Sequence, residues 1–479
     1  MTSKRHLPPT SARTKVSSRW VVLLAGLGIL FCTGGPSYYV AEHLTHPPGT
    51  WQSWMYVYPF TAVAIGGGVA LGSRLVWMPI RRWPWPTFAI GAYAIWALCS
   101  VLWTVSPLST PEAALIGLGI VAFGCWFGWC LRIDDQIWAV VVATAISSVA
   151  SAIVVAWRPL YGKMYLAIGF TQGGEPWQGI YGNRNSLAPV CVLGLIALAG
   201  LVVRAPSLRR IAFAAPLGVL HFILLRNSGG MTSMVALVLV ALTALFVPTM
   251  RWIRRSGVPG PGVATALIAM AIGGWLFVFD NLERISSRIG GDITFDGRRA
   301  MWADVRSFIR VHPVRGYGFW GFWDRADLTA DTYARLGAYG SAHNSVLEVT
   351  LMLGFVGLVF YLIICGAAIA GPLVWSWRRP SVAAWWWCLV MVFLVAENLT
   401  ESFVLWHSYI WVLFLAAALA PFGPSARADP MDAVEATDMP TAIDDVDATQ
   451  PAPRNDIDDV WSNSATSIAE LLPTGDIDN

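Results

Sequence analysis

Charge is scarce in this chain. Only 13% of its 479 residues are Asp, Glu, Lys or Arg, against roughly 25% in an average soluble domain. That shortage excludes an ordinary soluble fold. Paired cysteine chemistry is also missing. Cys32, Cys99, Cys125, Cys130, Cys191, Cys365 and Cys388 all fall in apolar segments, and no C-x-x-C occurs. Disulfides and a structural zinc site are therefore not expected. No outward acidic pair or D-x-D stands out, so neither a metal nor another cofactor is expected. The first apolar run lacks a small-residue cleavage site behind it, which reads as a retained anchor and not as a removed signal peptide.

What the chain has is grease. Hydrophobic residues make up 56%, and there are 26 Trp. Apolar runs of about 18 residues or more recur, each long enough to cross a bilayer as a helix. The expected fold is all-α, a polytopic transmembrane helical bundle of about 12 spans. The spans centre near 20–37, 54–78, 85–104, 112–130, 136–156, 186–203, 211–225, 230–247, 262–280, 346–370, 382–397 and 403–420. The net charge of +3 says less than its distribution. Basic loops (Lys4 to Arg19, Arg81 and Arg82, Arg132, Arg204 to Arg210, Arg251 to Arg255, Arg378 and Arg379) alternate with loops almost free of positive charge. By the positive-inside rule the basic loops are cytoplasmic. An even number of spans places all of them there, together with both termini.

The spans divide the chain into five regions. Residues 1–19 are a basic cytoplasmic terminus and 20–280 carry spans one to nine. Residues 281–345 form a large extracytoplasmic loop, longer than the range over which the charge rule acts. Residues 346–421 carry spans ten to twelve. Residues 422–479 are an acidic, Pro- and Thr-rich cytoplasmic tail whose composition reads as disordered.

Polar residues collect on the outer side. Polar groups are costly near hydrocarbon, so this convergence needs a reason. Asn183-Arg184-Asn185-Ser186 precedes span six. Asn185 or Ser186 caps that helix, or Arg184 and the helix start together hold an anion. Arg226 sits in the turn Arg226-Asn227-Ser228-Gly229-Gly230. It either snorkels to the interface or offers its guanidinium fork to phosphate. In the large loop, residues 297–312 show helical periodicity, with Met301, Val305, Phe308 and Ile309 on one face. Pro313 stops that helix. Arg299, Arg306 and Arg310 share the opposite face with Ala303. Arg298 projects into the apolar stripe near Trp302, Val305 and Ile309, where a charge needs a partner. It forms either a buried salt bridge or an anion site. Glu397 to Glu401 reach the same outer surface. His343, in Ser341-Ala-His-Asn-Ser345, combines an ordinary pKa near about 6.5 with a position at a helix mouth, which suits a general base. Ser345-Val-Leu-Glu348 reads as a capping box.

These residues resemble the O-antigen ligase and polymerase superfamily of bacterial membrane glycosyltransferases. The resemblance covers most of residues 170–420. It is carried by G-x-Y-G-N-R-N before span six, a polar turn at Arg226 to Gly229, and G-R-x-x-x-W at Gly297 to Trp302. Pro313, Gly316 and Gly318 form a P-x-x-G-x-G run. His343 to Gly357 reads H-N-S-x-L-E-x-x-x-x-x-G-x-x-G. The family usually shows Ser-Arg in the second turn, whereas Ser228 is followed by Gly229 here. The resemblance implies transfer of a glycan from a polyprenyl-diphosphate carrier to an acceptor hydroxyl outside the bacterial cytoplasmic membrane. It implies an essential His343 and Arg298. Around them the expected substrate-binding set is Arg226, Arg184, Asn183, Asn185, Arg299, Asn344 and Trp302. The expected partners are the lipid-linked donor, a glycan, lipid or polymer acceptor, and the bilayer; a nucleic-acid partner is not expected. A Wzy-type polymerase is the alternative within the family. A 12-span secondary transporter is the alternative from another class; it would show inverted repeats with midplane polar sites.

Overall fold

The apolar runs become helices because nothing interrupts them and because capping residues stand at their starts. The computed structural model describes residues 18–44, 83–163, 175–255, 295–323, 325, 327–329, 341–398 and 408–426. The expected spans at 54–78 and 262–280, the tail, and most of the loop at 281–294 and 330–340 lie outside them. Residues 1–429 form one unit and 430–479 another, and every described helix belongs to the first.

In chain order the helices are α1 (Ser18–Cys32), α2 (Gly35–Leu44), α3 (Pro86–Cys99), α4 (Ser109–Cys130), α5 (Ile133–Trp157), α6 (Arg184–Arg204), α7 (Leu208–Ser228), α8 (Met231–Arg255), α9 (Phe295–Val311), α10 (Ser345–Arg378), α11 (Val382–Asn398) and α12 (Tyr409–Leu419). Among the described residues regular structure is otherwise confined to short helical turns and one isolated bridge, Lys163 to Trp177. Five helices, α4, α5, α6, α7 and α10, are long and apolar enough to cross a membrane. Shorter apolar helices accompany them. The expected first span is broken by a turn at Thr33-Gly34, where Gly34 takes a φ of 78°.

Side-chain oxygens satisfy the first free N–H groups of several helices. Asn183 caps α6 by accepting from the Asn185 N–H at 2.8 Å. The expected caps, Asn185 and Ser186, are instead inside the first turn. Ser207 caps α7 and Ser408 caps α12. Gly229, with a φ of 65°, ends α7 in the left-handed conformation that glycine adopts freely.

The core is built by close approach. α4 lies along α12, α5 along α1 and α6, α7 along α6, and α8 along α11. Without attraction between apolar surfaces in lipid, helices gain from small residues that let backbones touch. Gly128 shows this: a Cβ there would lie 2.4 Å from the Ala416 carbonyl oxygen of α12. Gly200 similarly receives the fully buried Trp386. One buried polar link runs across the bundle. Gln136 donates to the Phe127 carbonyl at 2.8 Å, and its own oxygen accepts from the Trp387 indole at 3.1 Å. At the other end of α6 from Asn183, Arg204 pairs with Asp134 at the start of α5 at 3.0 Å.

The largest departure from expectation is α10. The length of the apolar run predicts an uninterrupted span at 346–370. The helix breaks at Gly354, whose φ of 65° and ψ of −169° are not helical. Residues 345–353 then fold back beside 355–378. A Cβ on Gly357 would come 2.2 Å from the Leu353 Cβ. The Tyr361 hydroxyl lies beside that of Ser345, although sixteen residues of straight helix would separate them by about 24 Å. The long arm is therefore 355–378, and 345–353 is a short arm that returns alongside it.

Candidate functional site

A broken helix leaves N–H and C=O groups without partners, and each is costly to bury. The segment after α9 fills the gap. The Phe355 N–H donates to the Pro313 carbonyl at 2.8 Å and the Val356 N–H to that of Val314 at 3.5 Å. On the other side of the break, the Leu351 carbonyl accepts from the Tyr317 N–H at 3.0 Å and that of Met352 from the Gly318 N–H at 2.9 Å. The Trp96 indole of α3 takes the Leu353 carbonyl at 2.9 Å. Glycine is needed at the contact: a Cβ on Gly316 would meet the Met352 backbone at 2.5 Å, and one on Gly354 would meet that of Val314 at 2.2 Å. The P-x-x-G-x-G run and the Gly354-x-x-Gly357 pair are thus two halves of one joint.

The joint fixes α9 against α10. On α9, Met301, Val305 and Ile309 are buried, while Ala303, Arg306 and Arg310 are exposed, as the periodicity predicts. Phe308 packs edge-on against Phe322 and Tyr317. Gly297, Arg298 and Arg299 lie in the first turns of α9, and their side chains fall outside the described residues.

His343 stands immediately before the short arm. Its φ is 45°, one of two positive values found for described residues other than glycine. Such a conformation persists only where the surroundings impose it. The preceding residue, Ala342, is gripped through both its carbonyl and its N–H. The Trp302 indole donates to the Ala342 carbonyl at 2.9 Å. The Ala342 N–H donates to one oxygen of Glu348 at 2.5 Å, and the Trp323 indole donates to the other at 2.6 Å. Glu348 and Ala342 are fully buried. The expected capping box does not form in that way. Asn344 is the cap, accepting from the Leu347 N–H at 3.1 Å, and Glu348 reaches past it to Ala342. Behind the histidine, the Ser345 hydroxyl donates to Asn398 at the end of α11 at 2.7 Å.

Trp302 lies four residues beyond Arg298, about 6 Å along α9. Its contact with Ala342 ties the helix that carries Arg298 to the residue before His343. Asn344 and Trp302, expected to bind substrate, each have one polar atom already engaged within the protein.

The second group forms where the loop before α6 meets the α7–α8 turn. The Trp177 N–H donates to the Asn227 carbonyl at 2.9 Å. A Cβ on Gly230 would lie 2.4 Å from that of Ala188, and one on Gly229 would lie 3.8 Å from a terminal nitrogen of Arg184. Arg184 is half-buried and Arg226 exposed. Neither forms an ion pair among the described residues. The Asn183 side chain is committed to its cap and Asn185 is half-buried. α11 packs on α6 and α8 and ends at Asn398, so it links this group to the histidine group. Of the outward acidic stretch, Glu397 is buried on α11 and residues 399–401 lie outside the described set.

Residues 213–362 match the family model described as O-antigen ligase. Over that stretch the chain is similar to the O-antigen ligase family. The matched stretch runs from within α7 through α8, α9, the joint, His343 and the short arm to the start of the long arm. It is shorter than the stretch of resemblance seen in the sequence and leaves Asn183, Arg184 and Asn185 on its N-terminal side. No curated protein matches the chain. Sequence reasoning missed Glu348, Trp323 and Trp96 as holders of the histidine segment. The signal available was a pair of glycines interrupting an apolar run, which marks close backbone approach.

Proposed function

We propose that this protein is a membrane glycosyltransferase that moves a glycan from a polyprenyl-diphosphate carrier to an acceptor hydroxyl on the extracytoplasmic side. The observation that carries the reading is the Trp302 to Ala342 contact. Within the stretch similar to the O-antigen ligase family it ties the helix of Arg298 to the residue before the strained His343.

The donor has an apolar tail, a diphosphate and a sugar chain. The acceptor hydroxyl oxygen attacks the anomeric carbon while its proton passes to His343. The bond from that carbon to the diphosphate oxygen breaks, and the electron pair leaves with the lipid diphosphate. Arg298, with Arg184 and Arg226, stabilises the charge on the leaving group. Arg299, Asn183, Asn185, Asn344 and the Trp302 ring line the substrate path. Diphosphate is a good leaving group, so a general acid is not required. The acceptor distinguishes ligase from polymerase: a finished glycan passed to a lipid, polymer or protein means ligase, and a second lipid-linked repeat means polymerase.

The test is glycan transfer by purified protein in detergent, with a polyprenyl-diphosphate-linked oligosaccharide and no ion gradient. Turnover is expected, falling about 100-fold or more in Arg298→Ala and His343→Ala. Near-normal turnover in both variants rejects these roles. Absence of turnover, combined with gradient-dependent solute uptake in vesicles, rejects the enzyme in favour of a transporter.

A further inference from the structure

We infer that Glu348 is a positioning residue, which together with Trp302 sets the His343 imidazole relative to α9. The inference rests on the glycosyl-transfer reading above. The carboxylate takes two donors from different parts of the fold, the Ala342 N–H and the Trp323 indole. Trp302 takes the carbonyl of the same residue, which lies in the next peptide unit. With the peptide units on both sides of the Ala342 Cα held, the backbone entering His343 loses its freedom to rotate. The next residue, His343, is then kept at a φ of 45°, which an L-residue otherwise leaves. Glu348 is fully buried, and a buried carboxylate without donors would be costly, so its two bonds are a condition of its being there. The grip involves three elements: the short arm through Glu348, α9 through Trp302, and the 318–323 turn through Trp323. Any relaxation moves the imidazole relative to the helix of Arg298. A displacement near 1 Å costs about 100-fold in a well-aligned reaction.

The experiment uses the full-length protein in detergent with the lipid-linked donor described above. Glu348→Gln leaves an acceptor for Ala342 and sets an amide N–H₂ against the Trp323 indole N–H. We expect kcat to fall about 10- to 100-fold with KM for the donor changed less than about threefold. Trp302→Phe, which removes the donor to Ala342 together with part of the ring, is expected to lower kcat likewise. The Glu348→Gln/Trp302→Phe pair is expected to lose less than the product of the single losses, because both act on one residue, Ala342. Adding Trp323→Phe to Glu348→Gln removes the opposed indole N–H, and part of the lost kcat is expected to return. Wild-type kcat in Glu348→Gln or in Trp302→Phe overturns the inference. So does a loss that scales only with the fraction of unfolded protein. If His343→Ala is inactive while Glu348→Gln and Trp302→Phe turn over normally, the grip fails and the transfer reading stands. If His343→Ala is fully active, the transfer reading itself fails.

Discussion

The histidine group and the arginine turn solve opposite problems. Around His343 the described polar atoms are spoken for: Ala342 through its N–H and its carbonyl, Asn344 as a cap, Ser345 by Asn398. Backbone strain is held there by packing. Around the α7–α8 turn the packing is done by glycine and alanine, Gly229, Gly230 and Ala188, while Arg184 and Arg226 form no ion pair among the described residues. The contrast teaches a division of labour. A base must be held in one place because proton transfer depends on geometry. Under the proposed transfer, a binder of a charged headgroup would keep its guanidinium donors open for the ligand.

That contrast predicts a ranking of effects. His343→Ala removes the held group itself and is expected to lower kcat by about 100- to 10,000-fold. Measured transfer within tenfold of wild type would end the assignment. Arg298→Ala, on the helix that the grip fixes, is expected to lose about 100- to 1,000-fold while the protein still inserts and unfolds at a normal temperature.

The joint comes next, and its readout is stability. Gly354→Ala places a Cβ 2.2 Å from the Val314 backbone and forces a φ of 65° on an L-residue. The backbone alone costs about 1–2 kcal/mol, so folded yield and thermal midpoint are expected to drop sharply. Gly366→Ala, further down the same helix with open space around it, is the control and is expected to leave the midpoint unchanged or slightly higher. Equal behaviour of the two variants would refute the joint.

On the arginine side smaller losses are expected, and in binding. Arg184→Ala is expected to raise KM for the lipid-linked donor about tenfold, with kcat held within threefold. A fall in kcat with KM unchanged would move Arg184 to the reacting centre and erase the contrast. The smallest effect belongs to the outer pair Arg325–Asp327, whose bonds are 2.7 and 2.5 Å and whose guanidinium also meets the Val105 carbonyl. The hydrogen bond from Arg325 holds the Asp327 carboxyl below its usual range. Its contribution is therefore complete above the ordinary value of about 3.9 and disappears as pH falls through the lowered folded value. Asp327→Asn is expected to leave transfer at neutral pH unchanged, with a midpoint difference from wild type that shrinks further in acid.

Much of this was legible in the residues. Apolar length gave the helices, since a run without polar groups has few other ways to satisfy its backbone in lipid. The 3.6-residue period gave the buried face of α9, and Met301, Val305 and Ile309 are where it placed them. The motif spacings singled out His343 and the arginines. The caps were misassigned by one to three positions, at Asn183 and Asn344, because Asn-rich starts offer several acceptors and only the turn geometry chooses among them.

Composition and periodicity by themselves determined that the chain is helical and carries helices long and apolar enough to cross a bilayer, because those properties depend on residues close together in sequence. Only the tertiary structure decided that α10 doubles back at Gly354, that residues 313–318 close the break, and that Glu348 and Trp302 grip one residue, Ala342. Each of these joins groups far apart along the chain. A glycine within an apolar run is compatible with a straight helix or a reversal, and the choice falls to whichever distant backbone arrives to satisfy the exposed carbonyl and N–H groups.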